Sequence, residues 1–279
     1  MRSIVNHLIQ LQELALVRDE QRSLLGPKAD LGDLNEAIGQ MADSLDPATK
    51  AIYSRLSKKD RIVVAPMHSG KCSMCGMSLA ISQVQAVKQC KTLVTCPSCA
   101  RILYDSAGPT WSGSRPRKPV PGTKAGIARF SSPELMVPRL AAKTSEEAVS
   151  ELAERLRAAG FVETTDKLVS GAMVREKMLG TGVGHALAFP HVRGVEGGGL
   201  ALAFGVSPDG IPWSGADGGK ARFVFFSAIP TATSVFYLKL LAGLAESYTK
   251  EANRKAALEA DSPEALWKAL AKATRWTVK

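Results

Sequence analysis

Apolar residues recur three or four positions apart at the start of the chain, and that spacing predicts helices. Ile4, Leu8, Leu11 and Ala15 share one face of a segment over residues 4–25, which Gly26-Pro27 breaks. Leu34, Ile38, Met41 and Leu45 then repeat at the seam spacing of paired helices. A second helix from near Leu31 and a short antiparallel hairpin follow. Asp46-Pro47 offers an N-cap and a first-position proline for a further helix through Leu56. Ser57-Lys-Lys-Asp-Arg61 is a solvated helix end, and Ile62–Ala65 is a short apolar strand candidate.

Periodicity returns near Thr144. Ser145 precedes Glu146-Glu147 and a helix over Ala148–Ala159 that Gly160 closes. Leu168–Lys177 is a second helix. Strand candidates follow at Leu187–Phe189, Leu200–Val206 and Ala221–Ala228, the last apolar enough to be buried on both faces. Ile229-Pro230 ends it. Val235–Ser247, Lys250–Ala260 and Pro263–Ala273 are three more helices. Helices alternating with strands predict an α/β sandwich. Trp213, in a short loop before a buried strand, is assigned to packing.

Between these regions Asp105–Lys143 holds six prolines and four glycines. Such composition predicts an extended, mobile tether. The chain therefore reads as multidomain: a helical hairpin at 1–60, a cysteine-rich module at 61–104, a basic linker at 105–143 and an α/β domain at 144–279.

Charge changes the picture only locally. The formal net charge is +10, and the linker alone carries seven Lys and Arg against two Asp and Glu. The C-terminal domain is nearly balanced, which argues against a basic nucleic-acid face there. No apolar run approaches the roughly 20 residues of a membrane span, and the N-terminus has polar residues in every apolar window. A soluble, cytoplasmic protein is expected.

All five cysteines, Cys72, Cys75, Cys90, Cys96 and Cys99, lie close together. Two Cys-x-x-Cys pairs deliver four thiolates, the donor set of a tetrahedral structural zinc ion. Cys72, Cys75, Cys96 and Cys99 are the expected ligands, and Cys90 fits no ligand spacing. Together with Leu45-Asp-Pro47, Tyr53 and Cys96-Pro-Ser-Cys99-Ala-Arg-Ile-Leu-Tyr104, this stretch resembles the four-cysteine zinc ribbon of bacterial proteins with an N-terminal coiled-coil hairpin. That family usually has glycine after the last cysteine, where Ala100 stands here.

The richest chemistry lies in Thr181-Gly-Val-Gly-His-Ala-Leu-Ala-Phe-Pro-His-Val-Arg193. Glycines free backbone amides at one end, and proline fixes the chain before an imidazole at the other. With Arg175-Glu176 upstream, Thr181, Gly182, Gly184, Pro190 and His191 resemble the active-site segment of the fructose/mannitol-type and nitrogen-regulatory enzyme IIA domains of the phosphotransferase system. The resemblance runs from about Ala142 to Ala271. It implies a mixed sheet flanked by helices on both faces, His191 as phosphoryl acceptor and Arg175 as its guanidinium partner. Gly182 and Gly184 are the expected amide donors to the phosphate.

That family usually has a second active-site histidine after the last buried strand. Thr231–Tyr237 contains none here, so Ser234 or Tyr237 is left to supply a neutral hydrogen bond, with His185 as a further auxiliary. The implied partners are a histidine phosphocarrier protein and a IIB domain, or a regulatory target. A different class of function stands beside this one: a non-catalytic sensor or adaptor whose zinc ribbon binds nucleic acid or protein. Oligomerisation through the helical hairpin is a further expectation.

Overall fold

The computed structural model describes the chain except residues 1, 27–29, 106–125, 163, 194–199, 216–218, 231–233 and 279, and the side chains of residues 2, 3 and 234–236. It divides into two compact units, Met1–Thr110 and Trp111–Lys279.

The first unit runs α1 (Arg2–Leu25), α2 (Gly32–Asp43), α3 (Pro47–Ser57), β1 (Val64–His68), β2 (Lys71–Cys72), α4 (Ile81–Gln89), β3 (Val94–Thr95) and β4 (Ile102–Asp105). Asp46 caps α3 as its sequence predicts, its carboxylate accepting the Thr49 N–H at 3.0 Å. The strands order β2-β1-β4-β3, with β1 and β4 parallel. Leu8 and Leu11 of α1 pack in one cluster with Leu45, Tyr53, Leu56, Val63, Val64 and Ile102. The hairpin and the cysteine-rich strands therefore share a core, and a boundary near residue 60 cuts through it. α2 has no fully buried residue, and its Ile38 and Met41 pack part-buried against the same cluster.

The second unit contains β5 (Met136–Val137), α5 (Ser145–Ala158), α6 (Asp166–Met178), β6 (Gly182–Val183), β7 (Leu187–Ala188), β8 (His191–Arg193), β9 (Ala201–Pro212), β10 (Lys220–Ile229), α7 (Ser234–Thr249), α8 (Glu251–Glu259) and α9 (Pro263–Thr274). Its sheet orders β5-β9-β10-β7-β6, and β8 also pairs with β10. β9 and β10 are antiparallel, whereas β5, β7 and β8 join their neighbours in parallel, so the sheet is mixed. β10 is buried at almost every position, as expected of a strand covered on both faces. α5 starts at a capping box: Thr144 Oγ1 accepts the Glu147 N–H, and the Glu147 carboxylate accepts the Thr144 N–H.

One predicted boundary changes. Composition assigns all of 105–143 to the tether, yet residues 126–143 fold onto this unit. Met136 and Val137 pair with Phe204 and Gly205 of β9, and Arg139 donates to the carbonyls of Leu258 and Ala260, both at 2.9 Å. Prolines 133 and 138 flank a two-residue edge strand, where proline is tolerated. No helix among the described residues is long and apolar enough to cross a membrane.

Candidate functional site

β7 and β8 run in succession along the same edge of β10, interrupted at Phe189-Pro190. β7 pairs with Phe223–Val224 and β8 with Ser227–Ile229. Proline has no N–H for the ladder, but its carbonyl accepts the Ser227 N–H at 3.1 Å. This break delivers His191 as the first residue of β8. The imidazole is buried, 2% exposed. Its Nδ1 lies 3.1 Å from the Phe189 carbonyl oxygen. A carbonyl only accepts, so Nδ1 carries the proton and Nε2 keeps the lone pair. The Tyr237 ring of α7 lies 5.1 Å from the imidazole, and the Arg193 guanidinium sits 5.5 Å from the Tyr237 ring centre.

α6 packs against β8 and brings Arg175 and Glu176, both buried. Arg175 Nη1 donates to the Leu179 carbonyl at 2.7 Å. Glu176 accepts the Thr181 N–H at 2.9 Å and the Thr181 hydroxyl at 2.6 Å. Trp213 Nε1–H then donates to the Thr181 hydroxyl at 3.2 Å. Burial pushes the Glu176 carboxyl above its usual range, against the pull of the Thr181 hydrogen bonds and of the Arg175 charge. Glu176 thus shares one electrostatic neighbourhood with Arg175.

Other expected site residues land elsewhere. The Gly182 N–H donates to the Ser214 carbonyl at 2.9 Å, so it is not free for a phosphate. A Cβ on Gly182 would lie 2.8 Å from that oxygen, and one on Gly180 or Gly215 would collide with facing backbone. These glycines allow residues 180–182 to lie backbone to backbone against 214–215. Gly184, His185 and Ala186 form the turn between β6 and β7, with His185 exposed at φ +65° and Ala186 at φ +61°. The strand that follows meets β10 at Phe223, four residues or about 13 Å of strand from the partner of His191. His185 is therefore no auxiliary to His191, and Gly184 is a turn residue. Ser234 opens α7, and its side chain lies outside the described residues.

Sequence reasoning missed the Glu176–Thr181–Trp213 network and Ser227. Trp213 packs as expected, but its indole N–H also completes the Thr181 hydroxyl. Ser227 was detectable as the one polar residue in Phe223-Val-Phe-Phe-Ser227.

In the first unit the Sγ atoms of Cys72, Cys75, Cys96 and Cys99 all lie within 4.8 Å of one another. Cys72 and Cys99 are 3.8 Å apart, and Cys75 and Cys96 are 3.6 Å apart. A tetrahedral zinc ion with Zn–S bonds of about 2.3 Å sets sulfurs about 3.8 Å apart, so the donor set fits. Burial pushes the Cys72 thiol up to about 12. The two knuckles repeat one turn: the N–H of Gly76 donates to Cys72 and that of Ala100 to Cys96, at 2.8 and 2.9 Å. Gly76 has φ +73° and Ala100 φ +60°. Glycine suits both places, and alanine at the second carries left-handed strain of roughly 1–2 kcal/mol. Cys90 ends α4 at φ +50°, outside the cluster.

His191 thus opens a broken strand of a mixed, helix-covered sheet, with its Nδ1 held by the Phe189 carbonyl. Residues 129–273, more than half of the chain, match the model of the phosphoenolpyruvate-dependent sugar phosphotransferase system EIIA 2 family, and the chain belongs to that family. Residues 71–103 match the C4-type zinc ribbon domain. The PTS system fructose-specific EIIABC component of Bacillus subtilis is 31% identical over 124 residues, 44% of this chain but only 20% of that protein. The PTS system fructose-specific EIIA component of Haloferax volcanii is 30% identical over 128 residues, 46% of this chain and 83% of that protein. The crystal structure of nitrogen regulatory protein IIA-Ntr from Neisseria meningitidis matches at a TM-score of 0.47 and 20% identity, covering 52% of this chain and 98% of that one.

Proposed function

We propose that the C-terminal unit is a phosphoryl carrier or regulator of the sugar phosphotransferase type, with His191 as acceptor. The observation that carries this is the Nδ1 contact to Phe189, which leaves Nε2 as the nucleophile. The donor is a phosphorylated histidine phosphocarrier protein. Its N–P bond breaks and the electron pair returns to its ring, while the Nε2 lone pair forms the new N–P bond. No proton leaves Nδ1. The group then passes to a cysteine of a IIB domain or stays as a regulatory mark.

Arg175 is the guanidinium proposed to balance the spread charge of the transferring group, exchanging its Leu179 carbonyl for a phosphoryl oxygen. Tyr237 takes the place of a second imidazole with a neutral hydroxyl. His191 and Tyr237 are both 2% exposed, so the donor has to open this layer before transfer. A regulatory or slow acceptor fits that burial better than a fast relay. In the first unit, zinc held by the four cysteines serves as a structural staple.

Incubation with phosphoenolpyruvate and the general phosphotransferase enzymes is expected to put an acid-labile label on His191, absent from His191→Ala. An unlabelled wild type beside a labelled control EIIA overturns the proposal. The same burial favours one second reading, an adaptor that binds partners without phosphate control. It expects the same captured partners for wild type, His191→Ala and His191→Asp.

A further inference from the structure

The layer that holds His191 contains a third polar group that the proposed transfer leaves unused. Alternate residues of a strand share a face, so Phe223, Phe225 and Ser227 of β10 point the same way. Phe225 stacks on Phe189 at 5.2 Å and meets Tyr248 of α7 edge-on at 4.9 Å. Two residues further along both strands, His191 pairs in register with Ser227. Residues paired across a ladder project from the same face with Cβ atoms about 5 Å apart. Tyr237 lies eleven residues before Tyr248, three helical turns, and so returns to the same side of α7. Its ring lies 5.1 Å from the imidazole, tilted by 42°.

Two successive layers thus share one plan. Phe189, Phe225 and Tyr248 make one layer, in which only the tyrosine hydroxyl is polar; His191, Ser227 and Tyr237 make the other. Ser227 is 2% exposed, and none of the side-chain hydrogen bonds among the described residues uses its hydroxyl. A buried hydroxyl beside an imidazole, in a stripe otherwise phenylalanine, is poised for a partner that arrives on that imidazole.

We propose that Ser227 contacts the phosphoryl group: its hydroxyl donates to a terminal oxygen of the group carried on Nε2 of His191. This rests on His191 being the acceptor. The bond holds the phosphorylated state without adding a charge, so Ser227 and Tyr237 together replace a cationic partner by two neutral donors. Such a donor favours the phosphorylated protein over the free imidazole and shifts its equilibrium with the donor.

The test is the phosphoryl partition between the phosphocarrier donor and the full-length protein, read at equilibrium in wild type, Ser227→Ala, Ser227→Thr and Ser227→Val. Loss of one hydrogen bond to a charged oxygen is expected to lower the partition about tenfold in Ser227→Ala. Thr and Val have nearly the same shape and differ in the hydroxyl. The decisive comparison is therefore Thr near wild type and Val about tenfold lower at matched melting temperatures. Equal partition in the Thr and Val proteins, with wild type labelled, overturns the role of Ser227 and leaves His191 standing. A wild type that takes no label overturns the acceptor reading itself.

Discussion

Glu176 shows how a single carboxyl is set by its surroundings. Its two oxygens meet the Thr181 N–H and hydroxyl, which favour the charged form. Burial opposes them and prevails, so its folded pKa lies above the ordinary 4.5. A raised folded pKa means that the stabilising contribution is full below the unfolded value and is lost as pH climbs through the folded one. We expect the wild type to lose stability relative to Glu176→Gln as pH rises from about 4 to 7. Urea midpoints across that range check it, and parallel curves for the two proteins count against it. Ala100 makes the same point for backbone. Its left-handed φ of +60° mirrors that of Gly76, and the knuckle's hydrogen bond to Cys96 demands it.

At the scale of elements, the joints are made by polar side chains that substitute for backbone. Gln12 of α1 is buried, and its Oε1 accepts the N–H groups of both Val63 and Val64 at 2.7 Å. Its Nε2 donates to the Val64 carbonyl at 3.2 Å. One amide thereby pairs the start of β1 with a helix on the edge that β2, joined only at Met67 and His68, does not reach. Gln12→Leu leaves two buried N–H groups unpaired, at about 1–3 kcal/mol each. Denaturant unfolding is expected to show the first unit destabilised by roughly 2–6 kcal/mol. A change below about 0.5 kcal/mol, the scale of an ordinary surface substitution, refutes this joint. Pro190 does the reverse at the other site: by removing an N–H it splits one edge strand into β7 and β8.

For the whole molecule, the two units rest on different sources of stability. Residues Met1–Thr110 form a small core around short strands and a four-thiolate cluster, whereas Trp111–Lys279 buries an aromatic sheet. Small cores of this kind depend on a metal or a cross-link. Removing zinc with a chelator is expected to abolish the calorimetric transition of the first unit and leave that of the second. Labelling of His191 should then continue at the same rate, because its described contacts all lie within the second unit. A single transition that shifts as a whole on chelation contradicts this division.

What the sequence determined by itself is whatever short spacing encodes. Two Cys-x-x-Cys knuckles, the Asp46-Pro47 helix start, the long helices and the Pro190-His191 break were all legible, because each depends on residues a few positions apart. The tertiary structure alone decided what surrounds them. Glycines at 180, 182 and 215 matter because two remote loops touch there, and the Gly182 N–H that the sequence offered to a phosphate is taken by the Ser214 carbonyl. Met136–Val137 left the tether for the sheet because β9, more than sixty residues on, offers an unpaired edge. Tyr237 was already a candidate from its place after the last buried strand, whereas the pairing of Ser227 with His191 comes from strand register, which only the folded sheet sets.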